Sequence, residues 1–195
     1  MSLSQSISNN RSQEVGKVRN ALQIVIDQIV PATEDDWPWI IEGQIEIAWA
    51  RLGRERQGQE DRAVVAQRVI QKVARLRRDS GLSNQVLVAL GPKGERMGFV
   101  WVAAVPSDAT GNLEASLLNQ FVSAPYRGRG LGERLMKAAE GWARQHELPR
   151  ICLRVARHNM TGQKLYRTLG FEVDMLRMSK TLNEGAESDP ALDIY

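Results

Sequence analysis

The sequence predicts one mixed α/β domain, and three features carry that prediction. Strand-like runs recur at Leu22–Ile26, Gln85–Leu90, Met97–Val105 and Glu114–Val122, short and bounded by turn residues as strands are. Longer stretches, Glu60–Arg78 and Gly130–His146, repeat apolar residues every three or four positions, the period of a helix. The two kinds of segment interleave along 195 residues, a length that fills one well-buried core and is short for two.

Taken in order, residues 1–20 are polar, rich in Ser, Asn and Gln and without periodicity, and read as a flexible arm. The domain spans 21–182. Leu22, Ile24 and Ile26 alternate with polar or smaller neighbours, which predicts a first strand ending near Pro31. Thr33 followed by Glu34, Asp35 and Asp36 is a capping-box pattern, with acids where a helix dipole favours them. A helical region follows, then a second helix at Glu60–Arg78 with Val65, Val69, Val73 and Leu76 on one face and Arg68, Lys72, Arg75 and Arg78 elsewhere. Gly91-Pro92-Lys93-Gly94 is a hairpin turn between two strands, and Glu114–Val122 is the next strand. Beyond a Gly-rich loop, Leu131, Leu135, Ala138, Ala139 and Trp142 share a helix face. Ile151–Val155 is a short strand and Asn159–Leu169 a helix stopped by Gly170. Phe171–Lys180 reads as a last strand, and residues 183–195 as a tail.

Composition narrows the function. The chain has 43% hydrophobic and 25% charged residues and a net charge of +3, an ordinary globular balance. Its 26 basic residues are spread along the chain, whereas nucleic-acid binders concentrate theirs on one face. Arg127, Arg129, Arg150, Arg154 and Arg157 are not interleaved with aromatics as a stacking platform requires. No apolar run approaches a membrane span, and MSLSQSISNN has neither the basic nor the apolar part of a secretory signal. The expected compartment is the cytoplasm, with no nucleic-acid and no membrane partner. Cys152, the single cysteine, sits in an apolar run and reads as a buried structural thiol. With His146 and His158 as the only histidines, no Cys/His metal cluster is expected.

The chemistry is concentrated in Arg127-Gly128-Arg129-Gly130-Leu131-Gly132, between a strand and a helix. Glycines let a backbone approach a ligand, a helix N-terminus offers free amides and a positive dipole, and arginines pair with phosphate oxygens. The combination describes a pyrophosphate cradle; a basic surface turn is the competing reading of the loop in isolation. A Walker A loop is excluded because no Gly-Lys-Ser/Thr follows, and the dinucleotide pattern because the third glycine is misplaced.

Arg127-x-x-Gly130-x-Gly132 resembles the Arg/Gln-x-x-Gly-x-Gly/Ala signature of the GNAT superfamily of N-acetyltransferases. Phe121-Val122-Ser123-Ala124-Pro125-Tyr126 is similar to that family's strand end and Pro-containing lead-in. Asn159-Met160-Thr161-Gly162-Gln163-Lys164-Leu165-Tyr166, with Gly170-Phe171 after it, resembles the family's Asn-x-x-Ala-x-x-Leu-Tyr-x-x-x-Gly-Phe stretch, Gly162 standing where Ala is usual. The resemblance implies a mostly antiparallel central sheet, splayed at the CoA site, with helices on both faces. It implies acetyl-CoA as co-substrate and a small-molecule or peptide amine as acceptor, with a homodimer common in similar proteins. By the same resemblance the main chain of Arg127, Gly128, Arg129, Gly130, Leu131 and Gly132 holds the pyrophosphate. Phe121 and Val122 pair with pantetheine as an added strand would, and the Val122 amide polarises the thioester carbonyl. Asn159 hydrogen-bonds pantetheine, and Tyr166 protonates the departing thiolate. A core tyrosine is the competing reading of Tyr166.

No residue stands out as the base for the amine. Glu114, Ser116 and Asn119 lie on the strand entering the motif, and Glu42 and Glu46 could line an acceptor pocket built from about residues 33 to 62. There Trp37, Trp39 and Trp49 with nearby acids would suit a cationic or aromatic amine, or else be core and caps. The alternative function is a CoA-binding regulatory module without turnover, against which Tyr166 argues.

Overall fold

The computed structural model describes residues 26, 28–78 and 83–180. The expected N-terminal arm and the tail from 183, with Leu22 and Ile24 of the first strand, lie outside the described residues. β1 (Gln28–Pro31) leads through a 3-10 turn (Glu34–Asp36) to α1 (Trp37–Arg51), the short α2 (Gly53–Gln57) and α3 (Arg62–Arg78). β2 (Asn84–Leu90), β3 (Arg96–Pro106) and β4 (Leu113–Val122) follow. A second 3-10 turn (Ala124–Tyr126), α4 (Leu131–Gln145), β5 (Ile151–Leu153) and α5 (Met160–Thr168) complete the order.

The sheet runs β1-β2-β3-β4-β5, antiparallel except for the parallel β4–β5 pair. Central β3 is buried from Met97 to Ala104, so its alternate side chains feed two cores. Phe99 and Trp101 face α1 and α3 together with Val86, Val88 and Phe121. Val100 and Val102 face α4, whose Leu131, Leu135, Met136, Ala139 and Trp142 fill the other core. Helices therefore cover both faces, as the family resemblance implies.

Two local devices seat α1. Thr33 donates its amide and its hydroxyl to Asp36 Oδ2, at 2.7 and 2.9 Å, and Arg96 Nε donates to Asp36 Oδ1 at 2.6 Å. Burial pushes the Asp36 carboxyl up, but the Thr33 and Arg96 hydrogen bonds outweigh it and hold the group below its usual range. At Gly43 a Cβ would stand 2.7 Å from the Phe99 ring, so only glycine lets the helix lie this close to the sheet. Trp37 and Trp39 are spent on this contact, edge-on to Trp101 and Phe99 at 5.6 and 5.5 Å.

One expected element is absent from the described residues. Phe171–Lys180 pairs with no strand; Phe171 packs on Tyr166 and Arg150 bonds Asp174 at 2.8 Å, but Val173, Met175, Leu176 and Met178 are exposed. The adjacent apolar pair Met175-Leu176 breaks the period of two, and β5 offers three residues to pair with.

Candidate active site

β4 is irregular where the chemistry is expected. Trp101 faces Asn119 and Val102 faces Leu117, so Leu118 is an extra residue and β4 bulges there. On its other side β4 pairs with β5 over Ala115–Leu117 and Ile151–Leu153, and then the parallel strands part. Past Leu117 the β4 edge is unpaired among the described residues, at the carboxyl ends where ligands usually sit in sheets with parallel strands. Along it, Arg127 Nε donates to the Val122 carbonyl at 2.8 Å, and Arg51 Nη2 approaches the Leu118 carbonyl at 3.5 Å.

The glycine loop follows the carboxyl end of β4 and leads into α4. Gly128 and Gly130 stand at φ +71° and +81°, with no atom within 4 Å of the place a Cβ would take. Gly130 caps α4, and the first amide of the helical ladder is Arg134 N–H to Gly130 C=O at 3.2 Å. The amides of Leu131, Gly132 and Glu133 precede that ladder. Open space, left-handed glycines and unspent amides fit a pyrophosphate. Leu131 contributes its amide alone, since its side chain is core. Arg127 and Arg129 are exposed on the loop, and Arg127 lies 3.8 Å from Glu46.

Tyr166, on α5, meets the carboxyl end of β4. Its hydroxyl donates to Gln120 Oε1 at 3.2 Å, and Gln120 Nε2 donates to the Gly132 carbonyl at 2.6 Å. Burial pushes the Tyr166 phenol up from its usual value, partly offset by the Arg51 cation, so it holds its proton at neutral pH. Asn159 caps α5, its Oδ1 accepting the Gly162 amide at 3.0 Å. A Cβ on Gly162 would stand 2.6 Å from Asn159 Nδ2, so glycine here leaves the cap room.

A cavity of about 100 Å³ lies beside the bulge, between α1, α3 and the sheet. Its polar lining is Gln44, Arg51, Lys72 and Asn119. Asn119 Oδ1 accepts from Arg51 Nη2 at 2.8 Å, and Asn119 Nδ2 donates to Gln44 Oε1. Gln44 and Asn119 are 5% and 6% exposed.

The structure thus ties Arg127 to Val122, and Tyr166 through Gln120 to Gly132, at the carboxyl end of β4, with Asn159 at the start of the helix bearing Tyr166. It does not bring in the acids. Glu42 and Glu46 are exposed and line neither cavity; Glu34 pairs with Arg77 at 2.7 Å. Glu114 accepts from Cys152 Sγ at 3.4 Å, five residues up the strand from Asn119; burial and that carboxylate push the half-buried thiol up. Sequence reasoning missed Gln44, Arg51 and Lys72. The spacing 44, 47, 48, 51 on α1 was a usable signal, because i, i+3, i+4, i+7 share a helix face.

The model of the acetyltransferase (GNAT) family matches residues 45–171, from α1 through Phe171. Among curated proteins, the chain is 30% identical over 117 residues to the uncharacterised N-acetyltransferase YycN of Bacillus subtilis strain 168, covering 52% of this chain and 74% of that one. It is 32% identical over 90 residues to the uncharacterised N-acetyltransferase YdgE of the same organism, covering 46% and 56%. Among solved structures, a Pyrococcus furiosus protein provisionally described as an acetyl transferase superposes with a TM-score of 0.69 at 24% identity, over 80% of this chain and 99% of that one. The aminoglycoside 6'-N-acetyltransferase AAC(6')-IG of Acinetobacter haemolyticus does so at 0.54 and 18%, over 80% and 99%.

Proposed function

The chain belongs to the acetyltransferase (GNAT) family, and we propose that it moves an acetyl group from acetyl-CoA to a primary amine by direct attack in a ternary complex. The observation that carries the reading is the parting of β4 from β5 with the glycine loop at its mouth.

Bound acetyl-CoA would supply the thioester as acyl donor. The amides of residues 127–132, with Arg127 and Arg129, would hold its pyrophosphate. The backbone of Phe121 and Val122, unpaired toward β5, offers hydrogen bonds to an extended pantetheine arm. The Val122 carbonyl is taken by Arg127 in the free protein, so that side chain would swing toward phosphate as the arm pairs. Asn159, which caps α5, would hydrogen-bond pantetheine through its side-chain amide. The Val122 amide would stabilise negative charge on the thioester oxygen. Tyr166, protonated and tied to Gln120, is the proton source for the departing thiolate. The cytoplasm, which keeps thiols reduced, is the compartment we assign.

Calorimetric titration with acetyl-CoA, repeated with CoA, tests the reading. Micromolar binding of both is expected. No binding by the folded protein would overturn the donor site and the enzyme mechanism built on it.

A further inference from the structure

We infer that the acceptor is a small amine bearing a carboxylate, and that the cavity between α1, α3 and β4 receives the carboxylate through Gln44, Arg51 and Lys72. The inference rests on the acetyl-transfer reading above and names the acceptor class that the same site takes.

The direction of the hydrogen-bond chain carries it. A guanidinium can only donate, so Asn119 must turn Oδ1 toward Arg51. Its Nδ2 must then point to Gln44, which must answer with Oε1. The amide orientations, interchangeable in isolation, are fixed by their partners. The chain ends on Gln44 Nε2, a donor buried at the cavity without a hydrogen-bond partner among the described residues. A buried, unpaired donor costs about 1–3 kcal/mol, a cost that a ligand oxygen there would remove.

Every other polar group left to a ligand in that lining is also a donor. Arg51 keeps Nε and Nη1, and Lys72 is an ammonium on the opposite helix. No carboxylate lines this cavity. A second hollow of about 270 Å³ adjoins it across Ala48, Val69 and Lys72 and adds Arg56 and Arg68. Its one acid, Glu60, is 3.9 Å from Arg68. Apolar Ile47, Ala48, Val69, Val73, Leu76 and Trp101 form the remaining wall. A lining of cations and N–H groups binds an anion with acceptor oxygens and repels a polyamine. A carboxylate meets an amide N–H and a guanidinium together, as two oxygens in one plane. Asn119 follows the bulged Leu118, and the Arg51 charge is felt by the Tyr166 phenol, so a group held here would leave its amine toward the end of β4 where the thioester is proposed.

The experiment compares acetyl transfer to the proteinogenic amino acids and to their carboxamides, and to 5-aminopentanoate and 1,5-diaminopentane, on the full chain. Acceptor binding to the free protein is measured separately by calorimetry. At least one carboxylate acceptor should exceed its uncharged or dicationic counterpart about tenfold in kcat/KM. Lys72→Met and Gln44→Leu should each remove most of that preference and leave the KM for acetyl-CoA unchanged. Lys72 is exposed, so its variant folds even if the Gln44 variant does not. A preference for the carboxamide or diamine, no turnover of any carboxylate acceptor with acetyl-CoA bound, or an unchanged preference in both variants would overturn the inference. Failure to bind acetyl-CoA would overturn the parent reading instead; carboxylate binding by calorimetry would still decide the cavity's preference.

Discussion

Substitution of Gly130 separates the conformational demand of the phosphate loop from its bulk. Gly130 stands at φ +81°, and a Cβ built on it meets nothing within 4 Å. The damage from a side chain is therefore a matter of backbone preference, not crowding. An ordinary L-residue costs about 1–2 kcal/mol in the left-handed region. Asn costs less, because its short amide is tolerated there, and β-branched Val costs more. If residue 130 relaxes to negative φ instead, the amides of 131–133 turn away from the pyrophosphate. Asn and Val are alike in size, so a difference between them reads the backbone alone. Titration with acetyl-CoA should give affinities in the order Gly130, Gly130→Asn, Gly130→Ala, Gly130→Val. The step from glycine to alanine should be about tenfold, the equivalent of about 1.4 kcal/mol, with valine beyond measurable binding. Thermal unfolding of each variant reports whatever strain the fold absorbs. Equal loss in Asn and Val would refute the conformational argument, and retained binding in folded Gly130→Val would remove the loop from the donor site.

Two further perturbations test the acid and the scaffold. Tyr166→Phe removes the proposed proton donor and leaves the ring that packs on Phe171, so kcat should fall about a hundredfold with little change in acetyl-CoA affinity. Wild-type kcat should fall only as pH rises through the raised phenol pKa, above its ordinary value near 10, and Tyr166→Phe should lack that fall; steady-state pH profiles of the two proteins check both. Asp36→Asn keeps the Thr33 contacts in part but breaks the pair with Arg96, and should lower stability by about 1–2 kcal/mol in denaturant unfolding at neutral pH. Because folding lowers the Asp36 pKa, its contribution is present above the ordinary value near 3.8 and is lost as pH falls through the folded one. The gap between wild type and Asp36→Asn should therefore close on acidification, and a gap that persists would count against the ion pair.

What was legible in the sequence follows from what each feature uses. The glycine loop is legible because its signal is local: Gly128 and Gly130 stand at positive φ, and Gly130 caps the helix that follows β4. The Thr33–Asp36 cap is equally local, spanning three residues. The order of strands and helices along the chain followed from periodicity, whereas helices on both faces were implied by the family resemblance and agree with a β3 buried from Met97 to Ala104. The tryptophans were ambiguous for a physical reason: Trp37 and Trp39 on a first helix serve core or ligand with the same spacing, and only the approach allowed by Gly43 decides for the core. The last strand failed because alternation states that a segment fits a sheet, not that an edge is free to take it. The polar cluster of the cavity was the least legible. Asn119 meets Arg51 and Gln44 across 68 and 75 residues, and no local pattern encodes which end of an amide faces which partner.

The cavity also bears on the base that sequence reading could not find. An amine must be neutral to attack, and the expected helpers, Glu42, Glu46 and Glu114, all lie away from the bulge or are engaged elsewhere. A cationic lining offers a different route. An amine held beside Arg51 and within reach of Lys72 has its charged form disfavoured by like charge, and in a desolvated site by burial as well. The same groups favour a carboxylate on the same molecule. One set of side chains would thus select the anion, hold the acceptor by it and help release the proton from the amine. Removing one cation should then act twice. Lys72→Met should raise the acceptor KM and move the acid limb of kcat to higher pH, because the bound amine regains basicity. A carboxylate base would leave that limb where it is when Lys72 is neutralised, and on that outcome the lining serves recognition alone.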